Sequence, residues 1–410
     1  MALGRNGVVA ALDVGSSKVS CFIARIDGRG AIRVIGIGHH ESKGVRAGAV
    51  VDMDAAEQAI RAAVDGAEHL AGLTVDSVIV TSAGGHIASH TVGIEVGVTG
   101  RQIADYDVNR GLAEARAHIE PGEREVVHAV PIHFSVDDNH GIRDPRGMYA
   151  TRLGVNLHIV TATTGVVRNL TACVGRGDLA IERQVVAPYA AGLASLVQDE
   201  LDLGVVLLDM GGGTTSIGVF GGGQLVFADS VPVGGHHITQ DIARGLGTPL
   251  NHAERMKTLY GSALPSATDD RDVMEIPQVG EDEGAAQIPR SALTGIIQPR
   301  VEETLEYVRD KLDASGAART AGRRVVLVGG ASQLQGMREF AGRILNKQVR
   351  MGRPIGVSGL ADATAGPAFA ACAGVLTYVA RTPGEAMALL AEAAANGRLG
   401  RVGRWLRANF

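Results

Sequence analysis

Three glycine-containing turns hold the residue types that can manage a phosphate chain. The first is Leu12-Asp13-Val14-Gly15-Ser16-Ser17-Lys18. The second is Leu208-Asp209-Met210-Gly211-Gly212-Gly213-Thr214-Thr215, and the third is Leu327-Val328-Gly329-Gly330-Ala331-Ser332. Glycine lets backbone N–H groups approach phosphate oxygens with no Cβ in the way. The hydroxyls of Ser16, Ser17, Thr214 and Thr215 can donate to phosphate, and Lys18 can neutralise one. Asp13 and Asp209 are carboxylates of the kind that hold Mg2+, mainly through water. None of the turns is a Walker A loop or a GxGxxG dinucleotide fingerprint. One such turn carries little weight, because strand–glycine turn–strand is common. Three in this order and spacing point to a nucleotide site.

A different chemistry sits in residues 398–410, which hold four arginines, no acid and the only tryptophan of the chain. On a helix, Leu399, Val402, Trp405, Leu406 and Phe410 share one side. Arg401, Arg404 and Arg407 take the opposite arc. That is the pattern of a helix lying in a membrane interface, with cations at anionic headgroups and Trp at headgroup depth. The stretch is too short and too charged to span a bilayer. A solvated basic tail, or a terminal helix docked on the protein's own core, would use the same residue types.

The elements that must position these turns follow from patterning. Strands are expected over 8–14, 19–26 and 32–39, and a helix over 54–71 with Asp54 as its N-cap. A buried strand over 77–81 follows. From 84 to 163 the texture changes to alternating stretches, a polar helix over 105–119 and a turn-rich segment over 137–147, which reads as a small α+β insertion. Then come a strand (158–162), a helix (165–175), a strand (181–186) and a helix (188–198). The strand over 205–210 opens a second half with its own glycine hairpin. Two halves that open alike suggest a duplicated α/β domain around a cleft. Residues 265–290 read as an acidic loop, including the Glu281-Asp282-Glu283 run. A helix over 294–312, a strand over 324–328 and a helix from Gln333 complete the body, and 381–397 is a tether.

At 410 residues the chain suits two or more domains, and 45% hydrophobic with 20% charged residues predicts a folded body. Aromatics at 3% leave the core to Val, Ile, Leu and Ala. A net charge of −5 gives no reason to expect nucleic-acid binding. Cys21, Cys173 and Cys372 are scattered among apolar neighbours and read as buried thiols in a reducing compartment. The N-terminus lacks the long apolar run of a signal peptide, so a cytoplasmic protein that touches membrane through its C-terminal end is expected. The histidines, His236-His237 among them, read as turn or surface residues rather than a metal set.

The ordered turns resemble the actin, Hsp70 and sugar-kinase superfamily, the first two its phosphate motifs and 328–332 its adenosine motif. Glu254 and Lys257 match its E-x-x-K, although alone they would be an ordinary surface pair. Gly234-Gly235, followed by Asp241, match the preceding glycine turn. Residues 186–193 and 367–376 resemble the two connecting helices. Within that superfamily the chain resembles the bacterial cell-division family FtsA over nearly its whole length, including the insertion and the terminal helix. The resemblance implies domain I core (1A) over 1–83 and 164–203, the inserted 1C subdomain over 84–163, domain II core (2A) over 204–242 and 313–380, and subdomain 2B over 243–312. It implies ATP and Mg2+ as ligands. It further implies self-assembly into filaments, anionic inner-membrane lipids as the surface bound at midcell, and later divisome proteins recruited through 1C. The C-terminal peptide of FtsZ is implied to dock on a 2B helix starting near Pro299, with Arg300 and Glu303 as the matching polar positions. Surface solvation with an intrahelical pair is the plain alternative for those two.

One departure bears on activity. Polymerising actins place Gln or Glu at the start of the first connecting helix, where it orients the attacking water; here that position is Ala187. Water positioning supplies much of the catalysis in phosphoryl transfer, so slow hydrolysis is expected, unless another group substitutes. Ala187 is equally suited to helix-start packing. A small-molecule kinase of the same superfold would need a catalytic Asp beside a substrate pocket. A chaperone-type ATPase would need a peptide-binding domain after the nucleotide domain. The insertion and the tail favour the scaffold reading over both.

Overall fold

The computed structural model describes residues 7–84, 86–118, 122–279 and 285–381. Two mixed sheets form its frame. The first runs Ala180–Val186, Ser77–Ser82, Val8–Val14, Lys18–Ile26, Ile32–Glu41 and Val357–Ser358 in spatial order. The second runs Gln224–Val231, Thr215–Gly221, Val205–Met210, Arg324–Val328 and Gln348–Met351. Val8–Val14 pairs antiparallel with the strand that follows its turn, Asp13 opposite Ser20, and parallel with Ser77–Ser82 on its other side. Val205–Met210 does the same, with Asp209 opposite Ser216 and Val328 on the parallel side. The two halves are therefore built on one plan.

Between the sheets lie the helix Ala187–Ser195 and the pair formed by a 3-10 turn, Pro367–Phe369, and the helix Ala370–Arg381. Every residue of Ala187–Ser195 is buried. Ala and Gly let these helices cross at backbone distance: a Cβ on Gly374 would stand 1.8 Å from the Ala190 carbonyl oxygen. Side-chain bulk is thus removed where a core poor in aromatics needs backbones to touch. Phe22 and Phe369, stacked with ring centroids 5.8 Å apart, fill the cleft-side end of this core.

The helix Met53–Ala71 covers the first sheet with a stripe of Ala56, Ala59, Ile60, Ala63, Val64 and Ala67. Its N-cap is Asp52, not Asp54. Asp52 is extended, and its carboxylate accepts from the N–H groups of Asp54 and Ala55.

The insertion is a separate four-stranded antiparallel sheet, ordered Ile87–Gln102, Tyr149–Thr163, Arg124–Val136, Asn139–Ile142. The last strand lies in the stretch expected to be only turns. The helix Asp105–Ala117 packs on this sheet around a core that includes Val108, Leu153, Val155 and Leu157. The insertion also reaches the second half. The Ser89 hydroxyl donates to the Ala228 carbonyl at 2.8 Å and accepts from the Ala228 N–H at 2.9 Å. Buried His128 accepts from the Val186 N–H at 3.0 Å, one residue before the central helix.

Other expectations are corrected. Within 265–290, Val273–Pro277 and Ala285–Pro289 pair as a hairpin rather than a plain loop; Glu281-Asp282-Glu283 lies outside the described residues. Gln333 ends a 3-10 turn, Gly330–Gln333, and the helix begins at Met337. The helix expected near Pro299 starts at Arg290 and runs unbroken to Ser315 with Pro299 inside it. Pro299 has no N–H to give the Gly295 carbonyl, so the helix runs on past one missing bond.

Candidate functional site

The three turns meet in one cleft of about 480 Å³ between the halves. The first two have the same closure. Gly15 N–H donates to Lys18 O at 3.0 Å and Gly211 N–H to Thr214 O at 2.8 Å. Asp13, Gly15, Ser16, Ser17, Lys18, Asp209, Gly211, Gly212, Gly213 and Thr214 line the cavity. So do Gly329, Gly330 and Ala331 of the third turn, with Gly235, Glu254 and Lys257.

Three expected site residues stand behind the wall rather than on it. Thr215 is buried and donates to Val233 O at 2.9 Å. Ser332 is buried and donates to Gly329 O at 2.7 Å, which holds the third turn closed. Gly234 backs the second turn: a Cβ there would lie 2.6 Å from Gly211 O and 2.8 Å from Thr214 N. These three shape the site without lining its cavity.

The floor is charged. Thr81 donates to Asp13 at 2.5 Å. Burial raises the Asp13 carboxyl pKa, an effect opposed by the Thr81 hydroxyl and by Lys18. Burial, reinforced by the Asp13 charge, pushes the Asp209 carboxyl up to about 7. Burial lowers the Lys18 ammonium against the pull of Asp13, Cys372 and Asp209, and its Nζ lies 3.1 Å from the Phe369 ring centroid. Two buried carboxylates that repel each other fit a divalent cation, which would favour their charged forms.

The third turn fits tightly against the second. Gly329 has φ +85, and a Cβ on it would lie 2.5 Å from Asp209 Oδ1 and 2.4 Å from Met210 O. At Gly330 a Cβ would meet nothing within 4 Å. Across the cleft, Lys257 Nζ donates to Glu254 at 2.6 Å, Thr239 Oγ1 at 2.8 Å and Gly235 O at 3.1 Å. Thr239 also donates to Glu254.

Two further residues reach the cavity. Ala187 lines it at the start of the central helix. His236 lines it too, although its sequence context read as a turn or surface histidine. It sits at the first turn of the helix Gly235–Leu246, and its N–H donates to Gly212 O at 2.7 Å. The signal was the Gly234-Gly235 turn immediately before it, which brings the helix N-terminus to the second turn.

Asp241 is not in the cleft. It pairs with Arg300, whose Nε donates at 2.5 Å and whose second nitrogen lies 3.3 Å away. Arg300 also bonds Glu303. The two expected peptide-docking residues are therefore together on one helix, with the cation already held by two acids. The expected membrane-facing residues Leu399, Arg401, Val402, Arg404, Trp405, Leu406, Arg407 and Phe410 lie outside the described residues. No described helix is long and apolar enough to cross a membrane.

Comparison with known proteins bears on this architecture. A family pattern described as "Cell division protein FtsA" matches residues 206–374, and one described as "SHS2 domain inserted in FTSA" matches residues 84–161. Cell division protein FtsA of Rhizobium meliloti (strain 1021) is 44% identical over 99% of this chain and 96% of its own. That of Escherichia coli (strain K12) is 30% identical over 98% of each. Among solved structures, a PilM-PilN type IV pilus biogenesis complex is similar with a TM-score of 0.62 at 18% identity, covering 91% of this chain and 98% of the other. MreB5 of Spiroplasma citri bound to ADP is similar with a TM-score of 0.52 at 12% identity, covering 96% and 100%. The fold is actin-like, two related α/β halves around a cleft with an SHS2 sheet inserted in the first. Identity at this level along nearly the whole of both chains means that the chain belongs to the FtsA family of cell division proteins.

Proposed function

We propose that this chain binds ATP with Mg2+ in the cleft and, so loaded, assembles into filaments on the cytoplasmic face of the bacterial inner membrane at midcell. There it ties FtsZ to the membrane and recruits later division proteins. The observation that carries the nucleotide part is the convergence of all three glycine turns on one cavity with Asp13, Asp209 and Lys18 at its floor. Two solved structures of similar fold, both of MreB5 from Spiroplasma citri, are described as bound to ADP and to AMPPNP.

Backbone N–H groups of the first two turns, with Ser16, Ser17 and Thr214, would hold phosphate oxygens. Gly329, Gly330 and Ala331 would take the nucleoside side, with Glu254 and Lys257. Mg2+ held through Asp13 and Asp209 would neutralise phosphate charge. Ala187 offers no polar atom to orient water, so hydrolysis is slow and ATP serves assembly more than turnover.

The units proposed are those expected from sequence: 1–83 with 164–203, 84–163, 204–242 with 313–380, 243–312, the tether 381–397 and the helix 398–410. The acidic FtsZ tail would dock on the helix Arg290–Ser315 and compete with Asp241 and Glu303 for the Arg300 guanidinium. Downstream division proteins would dock on the insertion. The terminal helix supplies apolar burial plus roughly 1 kcal/mol per arginine near anionic lipid. One copy therefore binds reversibly, and a filament binds firmly through many copies.

Liposome co-sedimentation tests the reading, comparing the full chain with one ending at Asn396, with and without Mg2+-ATP. Sedimentation on anionic vesicles that needs residues beyond 396 and rises with Mg2+-ATP is expected. Equal sedimentation of both chains, or no response to nucleotide, overturns it.

A further inference from the structure

Among the described residues lining the cleft, the lysines are Lys18 and Lys257, set against Asp13, Asp209 and Glu254. Lys257 is not free to serve a phosphate chain, and Lys18 is shared with the carboxylates of the floor. Lys257 has three N–H donors, and all three are spent on Glu254, Thr239 and Gly235. Lys18 lies over Phe369 under the pull of Asp13 and Asp209. The formal charges of these five side chains sum to one negative, so a polyphosphate entering the cleft gains from a further cation besides a metal ion.

His236 is placed to be that cation. It sits where the N-terminus of the twelve-residue helix Gly235–Leu246 opens on the second turn. Its ring edge lies against Gly212: a Cβ on that glycine would stand 3.1 Å from Nε2 and 3.2 Å from Cε1. The backbone N–H of His236 is fixed on Gly212 O, so ring and turn move together. The ring nitrogens have no protein hydrogen-bond partner among the described residues, unlike neighbouring His237, whose Nδ1 accepts from Gly234 N–H at 3.1 Å.

We infer that His236 reads the phosphate chain, donating a ring N–H to a phosphate oxygen and taking up a proton as nucleotide binds. The inference rests on the nucleotide reading of the cleft and adds a proton to its binding reaction. Burial lowers the imidazole below its ordinary value, helped by Lys257 and His237 and opposed by Glu254. The ring is therefore neutral at pH 7 before phosphate arrives. An incoming polyanion reverses the balance, because opposite charge at hydrogen-bond distance favours the imidazolium. The contribution of His236 to affinity then falls as pH rises through its pKa in the bound state.

The test is titration calorimetry of Mg2+-ADP and Mg2+-ATP in buffers of differing ionisation enthalpy, with wild type, His236→Gln and His236→Lys. Wild type is expected to take up protons that His236→Gln does not, which subtracts any uptake by the nucleotide's own phosphates. Asp209, near 7, titrates in all three proteins, so the readout is a ratio: wild-type affinity divided by that of His236→Gln should fall about tenfold from about pH 6 to about pH 8. The same ratio for His236→Lys, with a fixed charge, should stay level over that range. Equal proton uptake by wild type and His236→Gln, both binding nucleotide, overturns the role of His236 and leaves the cleft assignment standing. Failure of all three proteins to bind nucleotide overturns both.

Discussion

The first two turns have nearly the same backbone and opposite side-chain character. Each follows an aspartate in a central strand, closes with a glycine N–H and returns with the aspartate opposite a serine. In the first, the next positions are Ser16, Ser17 and Lys18; in the second they are Gly212, Gly213 and Thr214. The two fit together across the cleft. A Cβ on Gly213 would lie 2.6 Å from Ser16 Oγ, and one on Gly212 would lie 2.9 Å from Ser17 Cβ. The contacts are reciprocal: the first residue of each triplet meets the second of the other. One turn supplies atoms and the other supplies room, and a duplicate with serines in both would not close. The parallel neighbours differ as well. Thr81 gives Asp13 a donor, whereas the position beside Asp209 is Val328. Burial, with the Asp13 charge, lifts Asp209 to about 7 against the pull of Lys18, and Val328 offers no hydroxyl to oppose the rise as Thr81 does for Asp13.

The sharpest break of this comparison is at the third turn, where steric room and function separate. Gly330→Asp meets nothing within 4 Å, so its melting temperature should stay near wild type. Its carboxylate would take up room proposed for the nucleoside and add a negative charge beside the phosphate chain, and like charges brought together cost several kcal/mol. Calorimetry should show ATP affinity lower by a hundredfold or more, on the order of 3 kcal/mol. Unchanged affinity would remove the third turn from the site.

Gly213→Val comes next, because it asks the roomy turn to carry bulk. Its side chain would press on Ser16 and on Ala47 N, 2.9 Å from the Cβ position. Overpacking of this kind costs about 1–3 kcal/mol, to be read as a lower denaturation midpoint together with weaker nucleotide binding. Ser16→Gly, the converse change, should cost less than half as much.

Asp209→Ala removes one of the two carboxylates. Mg2+-dependent ATP binding should weaken about 10–100-fold, as for other changes at the supports of a metal site, while metal-free binding changes little. Equal affinity with and without Mg2+ in wild type would count against a cation at this floor.

The smallest effect separates the two aspartates by pH. Thr81→Val takes away the donor that holds the Asp13 pKa down against burial. The carboxyl then protonates at higher pH than before, so Mg2+-ATP affinity is lost as pH falls. The ratio of wild-type to Thr81→Val affinity should be larger at about pH 6 than at about pH 8, within the ~1.5–3 kcal/mol of a hydrogen bond to a charged group. A ratio independent of pH would mean that Thr81 acts by packing alone.

The sequence made the turns legible because each carries its reason locally: an apolar run, an aspartate, then glycine with hydroxyls. Legibility failed where a distant contact decides. Val273–Pro277 hid in a polar stretch because Val273 and Glu275 are exposed and only Ile276 is buried. Asp52 and Asp54 are equal as caps on paper, and the extended backbone at Asp52 selects between them. Pro299 reads as a helix start because proline suits a first helical turn, yet burial of Leu293, Thr294 and Ile297 carries the helix back to Arg290. Asp241 matched a nucleotide motif by spacing, yet its carboxylate turns to Arg300 on the neighbouring helix Arg290–Ser315. His236 was set aside because one histidine has no pattern; only the folded turn shows what its ring faces.

The bonds between Ser89 and Ala228 have a mechanical meaning. The insertion is chained to the first half at both of its ends, and Ser89 ties it to both backbone groups of one residue in the second half. The first half, the insertion, the second half and the central helices thus form a closed circuit of contacts rather than a pair joined at one hinge. In such a circuit no member turns alone. If the jaws open by a few degrees, the insertion must tilt, carrying the helix Asp105–Ala117 with it, or the Ser89 joint must snap. Whatever grips that helix from outside has its hand on the jaws.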